Sequence, residues 1–521
     1  MRSHRNPSRR SFLSGTSSAL AVGVAMPAIS FAAMRPVLTH GVQSGDPSLG
    51  SGVVWTRADR PARVRFEIAT SDSFKDILRA VTLDALPETD FAVKALIDGL
   101  PAGQDIFYRA TPFDLAFPMT AGAPVVGRFR SAPLDKRSVS FVWSGDTVGQ
   151  GWGIDEARGG MRCYATMAKH RPDFFIHSGD TIYADSPIPA EVKLPDGSLW
   201  KNIVTEEKSK VAETLAEFRG NYKYNLMDRN VLALNAQVPM LAQWDDHEVM
   251  NNWSPSKSVL EDKRYTQKNV ALMSARAARA FHEYMPIAAT PQEAGRVYRK
   301  VAYGPLLDIF FLDMRTYRGP NGDNRESEEE PQSAFLGPEQ LAWLKRELKA
   351  SRATWKVIAA DMPLSIVVFN DAALSKGSEA VAQGDGKPLG RELEFAGLLS
   401  FIKREAIRNT VWLTADVHYT SAHYYNPDKA QFQDFEPFWE FVSGPVHAGS
   451  FGPNDLDNTF GPELRYYKGP KAGEVQNQSP ALGLQFFGHV AIDGASEVMT
   501  VTLRDVEDAA LFQVKLEPKQ G

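Results

Sequence analysis

Six apolar, strand-like runs end in aspartate: Val139 to Asp146, Asp173 to Asp180, Pro239 to Asp246, Leu307 to Asp313, Trp355 to Asp361 and Thr410 to Asp416. A layered α/β fold brings the carboxyl ends of its strands to one rim, where ligands bind. Carboxylates gathered there repel one another unless cations neutralise them, because buried charges must be paired or coordinated. The pattern predicts a multi-metal site.

The individual motifs differ in what they specify. In Ser144-Gly145-Asp146-Thr147 a strand turns at glycine and delivers one carboxylate, although an isolated Asp there also suits a turn or helix cap. Asp180 and Tyr183 lie three apart in Gly179-Asp180-Thr181-Ile182-Tyr183, close enough to reach one ion, and phenolate is a hard donor that suits ferric iron. Trp244-Asp245-Asp246-His247-Glu248, with Asn251-Asn252-Trp253 after it, concentrates like charges that gain nothing from packing; a surface turn is the alternative. Asp416 and His418 share one side of an extended chain by its two-residue period, a spacing that suits ligands of neighbouring metals. Arg315, after Asp313, can orient a carboxylate, contact phosphate or make a structural salt bridge.

Two kinds of element must position these groups. From His40 to Pro133 short alternating runs at Gly52 to Thr56, Ala62 to Ala69, Phe91 to Ile97, Ile106 to Ala110 and Val125 to Phe129, punctuated by turn residues, predict a small antiparallel sandwich of immunoglobulin or fibronectin type over 36–134. Beyond Ser138 strands and helices alternate, with helices predicted at Met161 to Lys169, Val211 to Phe218, Gln267 to Tyr284, Glu339 to Lys349 and Leu393 to Ile407. Strands return at Leu484 to Ile492, Val498 to Leu503 and Leu511 to Leu516, as though a second sheet closed the core of a catalytic domain spanning 138–521. The polar insertions Ser186 to Ser209 and Phe369 to Arg391 are expected to shape access to the site.

The chain has 521 residues and a net charge of -5, with no broad basic field for nucleic acid or anionic membrane. Its one cysteine, Cys163, excludes an intrachain disulfide and reads as a small buried packing residue. Ser8-Arg9-Arg10-Ser11-Phe12-Leu13 and the mild apolar stretch Ala19 to Ala33 read as a twin-arginine export signal over 1–33, too short for a comfortable membrane span. The expectation is a periplasmic or extracellular protein, carried by the twin-arginine machinery, without a transmembrane anchor.

Taken in order, these fragments resemble the PhoD-like alkaline phosphatase family of the metallophosphoesterases. Thr39-His40-Gly41-Val42-Gln43-Ser44-Gly45-Asp46-Pro47 is similar to the opening of the family's N-terminal domain, and the Asp180, Asp246, Leu312 to Arg318, Asp416 and Ser443 to Ala448 segments resemble successive catalytic motifs. The resemblance implies an α/β metallophosphoesterase-type layered β-sandwich flanked by helices, behind an all-β N-terminal domain. It implies Asp180 bridging two metals, Tyr183, His418 and Asp146 on a ferric side, and Asp246 and Asp416 on a divalent side. Fe3+ and Ca2+ are the implied ions, with Zn2+ or Mn2+ as alternatives. Well-known members carry a cysteine just after the first catalytic strand, where this chain has Ser144-Gly145-Asp146.

The implied reaction is hydrolysis of phosphate monoesters, and of diesters as a second class, by a metal-held hydroxide that releases phosphate. His247 is the candidate to protonate the leaving alkoxide, or else to support the metal ligands; Asn251, Asn252 and Arg315 are candidates for contact with phosphate or the site. His447 is expected near the site and His423 in the structural background. The alternatives are phosphodiesterase or phospholipase D-like activity, and a non-catalytic calcium-rich surface scaffold.

Overall fold

Side-chain alternation divides the catalytic strands between two cores. In the parallel pair Val139–Ser144 and Phe174–Ser178, Phe141, Trp143, Phe174 and Ile176 face one way, whereas Val142 and Phe175 face the other. Both faces are covered, which is why these runs are apolar throughout. The computed structural model describes residues 35–289, 294–384 and 386–519. The predicted export signal lies outside the described residues.

The first sheet has nine strands, in the order Ala510–Leu516, Met499–Asp505, Phe486–Ile492, Val139–Ser144, Phe174–Ser178, Met240–Gln243, Leu38–Gly45, Ser51–Ala58 and Ala92–Asp98. The second has seven: Arg299–Ala302, Leu307–Phe311, Trp355–Ala359, Thr410–Thr414, Phe438–Val442, Thr420–Tyr425 and Pro462–Lys468. Of the aspartate-ended runs, those leading to Asp146, Asp180 and Asp246 lie in the first sheet, and those leading to Asp313, Asp361 and Asp416 in the second. Phe141, Trp143 and Ile176 meet Ile309, Val357 and Leu413 between the sheets. Helices Arg162–Lys169, Leu215–Asn225, Arg229–Asn235 and Val270–Tyr284 cover the outer face of the first sheet, and Pro338–Ala350 and Glu392–Arg404 that of the second. The result is the expected layered sandwich flanked by helices.

One expectation is corrected. The C-terminal strands do not form a second sheet: Phe486–Ile492 pairs antiparallel with Val139–Ser144, so they extend the first. The second sheet comes from the middle of the chain. Strand alternation says which face is buried but not which distant edge supplies the hydrogen bonds.

In the N-terminal region the antiparallel sheet of Arg79–Ala85, Ala62–Ala69, Asp105–Asp114 and Val125–Arg130 packs Val64, Phe66, Ile68 and Ile106 against Val42, Val54 and Ile97 of the facing strands. That is the predicted all-β sandwich. Its facing strands are themselves the edge of the first sheet, joined to the catalytic strands by the parallel pairing of Gly45 with Met240. Trp55 Nε1 donates to Glu283 O at 2.7 Å, and Arg299 grips Asp46 with Nε and Nη2 at 2.9 and 2.8 Å, fixing the region to the catalytic layers.

Helix ends follow capping chemistry. The helix predicted at Val211 to Phe218 begins at Leu215, because Thr214 and Glu217 form a reciprocal capping box, while Ala212 N donates to Ala184 O. Arg229–Asn235, missed in the sequence, is short and starts on Asp228, whose Oδ1 accepts from Asn230 N and Val231 N. No helix among the described residues is long and apolar enough to cross a membrane.

Candidate metal centre

Asp146, Asp180 and Asp416 each follow the last residue of a strand by two positions and adopt left-handed backbone, with φ of 67°, 51° and 67°. Such a conformation costs a non-glycine residue about 1 kcal/mol or more and persists only where the surroundings impose it. Here it turns each carboxylate back over the strand ends. His418, also left-handed at φ 61°, turns with Asp416.

Two overlapping groups result. One ligand atom each from Asp146, Asp180 and His418 lies within 4.8 Å of the others, and the same holds for Asp180, Asp246 and His247. Asp180 belongs to both, as a bridging carboxylate must. His418 Nδ1–H donates to Gly449 O at 2.5 Å, which leaves Nε2 as the metal-facing atom; it accepts from Tyr183 Oη at 2.8 Å. Tyr183 therefore joins the first group, packed at a tilt against the His247 ring with a centroid distance of 4.2 Å.

Asp416 falls in neither group. Its Oδ1 lies 3.4 Å from Arg315 Nη2, which ties it to the cluster behind the second group. Arg315 is fully buried and surrounded by carboxylates: it bonds Asp245 and Glu379 closely and approaches Asp361 at 3.3 Å. Of the roles open to it in the sequence, the structure selects orientation of carboxylates, since a guanidinium so enclosed has no free donor for phosphate. Asp313, the other strand-end aspartate, accepts from Arg315 N and Thr316 N at 3.1 and 2.9 Å and serves as a turn cap.

His247 is held from behind. Its Nδ1–H donates to Asp185 Oδ1 at 2.6 Å, Asp185 Oδ2 accepts from Asn251 N at 3.0 Å, and Nε2 lies 3.9 Å from Asp246 Oδ1. The Asn251 side chain is exposed. Asn252 N donates closely to Asp246 Oδ2, and its side-chain NH2 donates to Asn370 O at 2.8 Å, so that amide group clamps the 369–378 hairpin. Both insertions expected to shape access form hairpins, Glu191–Lys193 with Leu199–Lys201 and Phe369–Asp371 with Lys376–Ser378.

The electrostatics call for cations. Asp146 Oδ2, Asp180 Oδ2 and Asp246 Oδ1 are buried with no hydrogen-bond partner among the described residues. Burial, reinforced by neighbouring carboxylates, pushes Asp146 and Asp180 well above the ordinary carboxylate range. Burial and the charges of Asp180 and Asp146 likewise hold the Tyr183 phenol protonated, whereas burial lowers His418 to about 4 and keeps it neutral, as a ligand must be. The orphaned oxygens, a neutral imidazole and a phenol make a hard donor set, so the residues present fit two metal ions.

Residues 141–503 match the PhoD-like phosphatase family, and residues 23–133 match the PhoD-like phosphatase N-terminal domain. The chain belongs to the PhoD-like phosphatase family. It is a hydrolase, as PhoD-like phosphatases are. Alkaline phosphatase D of Bacillus subtilis (strain 168) is 28% identical over 442 residues, covering 81% of this chain and 71% of that protein. The solved structure of PhoD superposes with a TM-score of 0.67 at 22% identity, covering 92% of this chain and 89% of the other. Purple acid phosphatase PPD1 from yellow lupin (Lupinus luteus) seeds superposes at 0.54 with 10% identity, covering 93% and 74%. These likenesses show a shared fold.

Within this PhoD-like frame Ser144 points away from the ligands, donating its Oγ to Phe486 O at 2.8 Å, and Asp146 occupies the first group instead. The room for it is made by Gly444, where a Cβ would fall 2.1 Å from Asp146 Oδ2. His447 lies beside the site, its N donating to Asp146 O at 3.1 Å, while His423 is buried against Glu440 at 3.1 Å; both match expectation. Asp185 and Glu379 were missed. Asp185 closes the same motif as Asp180 and Tyr183, a signal within reach; Glu379 sits in an insertion and carries none.

Proposed function

We propose that this PhoD-like phosphatase hydrolyses phosphate monoesters, and diesters as a second class, with Asp180 placed where two metal ions would share it. The observation that carries the reading is that one buried aspartate belongs to two three-residue ligand groups. Asp146, His418 and Tyr183 would hold one ion, for which Tyr183 as phenolate would favour Fe3+; Asp246, with Asp416 beside it, would hold the other, for which Ca2+ suits the carboxylate oxygens. When bound, the cations supply Lewis acidity and neutralise phosphate charge.

The chain's own contribution centres on His247. Burial works against its charged form, but Asp246 and Asp185 outweigh burial and lift its pKa to about 9. The hydrogen bond to Asp185 at 2.6 Å favours the charged ring independently of Asp246. His247 thus carries a proton at Nε2, on the ligand side, and delivers it to the departing alkoxide oxygen, while Asp185 fixes the tautomer and the ring direction. Export by the twin-arginine route to the periplasm or beyond is part of this reading, supported by Arg9-Arg10 and the apolar stretch after them.

The test is metal analysis of the natively exported protein, with its visible spectrum and phosphate release from a monoester and a diester. Bound iron, a broad tyrosinate band and hydrolysis are expected. Metal without hydrolysis of either ester would overturn the reading, and Arg9→Lys with Arg10→Lys should retain the protein inside the cell.

A further inference from the structure

A strand covered on both faces is normally apolar on both. Two strands of the first sheet break that rule on the face that the helices cover. Gln43, on Leu38–Gly45, faces the same way as its cross-strand neighbour Trp55, which lies in the core beneath the helices. His177, on Phe174–Ser178, shares the face of Phe175 in the same core. Both polar side chains are 1% exposed.

They line a small cavity of about 30 Å³, with the buried residues Thr147, Thr181, Tyr222 and Asn225 in its wall. Three of these lining residues carry buried polar atoms without a hydrogen-bond partner among the described residues: Gln43 at both Oε1 and Nε2, Tyr222 at Oη and His177 at Nδ1. Buried polar groups are almost always paired, and a polar space of this size takes one water molecule where roughly two to four such groups converge.

The same wall carries the turns of two candidate metal ligands. Thr147 follows Asp146, and Thr181 follows Asp180. Thr147 N donates to Asp180 O at 2.8 Å, and Thr147 Oγ1 meets His177 Nε2 at 2.7 Å and Tyr164 Oη at 2.8 Å. Asn225 Nδ2 donates to Thr181 O at 2.7 Å. The cavity is therefore the floor under both turns, and Gln43 brings the N-terminal region into it, from the Thr39 to Pro47 motif that the metal centre itself does not use.

We propose that this cavity holds one water molecule bridging Gln43 and Tyr222, and that through it Gln43 positions the turns presenting Asp146 and Asp180. The inference rests on the reading of those aspartates as metal ligands. Ligands keep their affinity only within about 0.5 Å of the productive geometry. A hydrated floor satisfies the amide and the phenol and keeps the two threonine turns from settling into the cavity. Gln43 is a positioning residue, since it acts through the turns and not on the phosphate.

The first test is a high-resolution crystal structure of the wild-type protein, in which one ordered water should lie within hydrogen-bond distance of Gln43 and Tyr222. A dry cavity would overturn the proposal. The second compares Gln43→Met, Tyr222→Phe and the double variant with wild type, reading the EDTA concentration that strips half of the bound metal and the melting temperature of the metal-free protein. Each single variant strands one end of the bridge and should melt lower, whereas the double variant removes both ends and should recover most of that loss. Metal retention should not recover with it. The EDTA concentration should fall about tenfold in Gln43→Met, the scale for outer partners of metal ligands, and the double variant should stay within about twofold of that value, because both changes remove the same water. Recovery of metal retention together with stability would make Gln43 a packing residue and overturn its positioning role; a double variant melting below both single ones would overturn the bridge. Wild type that binds no metal would instead overturn the reading of Asp146 and Asp180 as ligands, and this inference with it.

Discussion

Asp185 Oδ1 accepts the Nδ1–H of His247 at 2.6 Å, and Asp185 Oδ2 accepts Asn251 N at 3.0 Å, so one carboxylate fixes both the imidazole and the backbone beyond it. Asp185→Asn keeps the volume but removes the charge that favours imidazolium. Turnover should fall about 10- to 100-fold with bound metal close to wild type, as for outer partners of metal-site histidines. Single-turnover kinetics with metal analysis would check this; an equal loss of metal and rate would make Asp185 a metal-retention residue instead.

Arg315 should behave as a structural cation. Arg315→Met leaves Asp245, Glu379 and Asp361 buried without their shared counter-charge, and stability should drop by about 3–5 kcal/mol, the range for removing one partner from a buried ion pair. Arg315→Lys should rescue little, because a single ammonium cannot replace a planar fork of donors. Denaturant unfolding of the metal-loaded proteins measures both.

Chelation should expose the repulsion stored at the centre. Asp180 has its folded-state pKa raised well above the ordinary value by burial and then by Asp246, Asp245, Glu248 and Asp146. Without metal the folded form therefore holds a proton that the unfolded chain releases above its own pKa, and stability falls as pH rises beyond that point. Metal-free Asp180→Asn should accordingly melt higher than metal-free wild type at pH 8, whereas in metal it should bind less and lose activity. Calorimetry with and without chelator reads the crossing, and a metal-free variant less stable than wild type would contradict it.

A second titration lies away from the centre. Burial, assisted by Asp457, raises Glu392 from 4.5 to about 9. Glu392 is protonated in the folded state between those values while the unfolded chain is ionised, so its contribution is intact below about 4.5 and lost progressively as pH climbs toward about 9. Glu392→Gln should flatten the fall in melting temperature from pH 5 to pH 9. An unaltered pH slope would mean that Glu392 is ionised in the folded protein.

The sequence alone determined the chemistry at the strand ends. Apolar runs closed by Asp146, Asp180, Asp246 and Asp416, with Tyr183, His247 and His418 at short offsets, mark candidate hard ligands; the strand period does not govern Asp416 and His418, which leave the strand after Thr414 on left-handed backbone, so that His418 joins the first ligand group and Asp416 joins neither. The boundaries of Ala62–Ala69 and the presence of the long helices were legible because their periodicity is local, whereas helix ends such as Val270 and Leu215 are set by caps. Tertiary structure decided what depends on distant partners. Only the meeting of two sheets makes Asp180 common to both ligand groups, places Glu379 from an insertion against Arg315, and returns the C-terminal strands to Val139–Ser144. Arg315 is the sharpest case: its charge was readable, but whether that charge faced carboxylates or substrate depended on burial, which long-range packing sets.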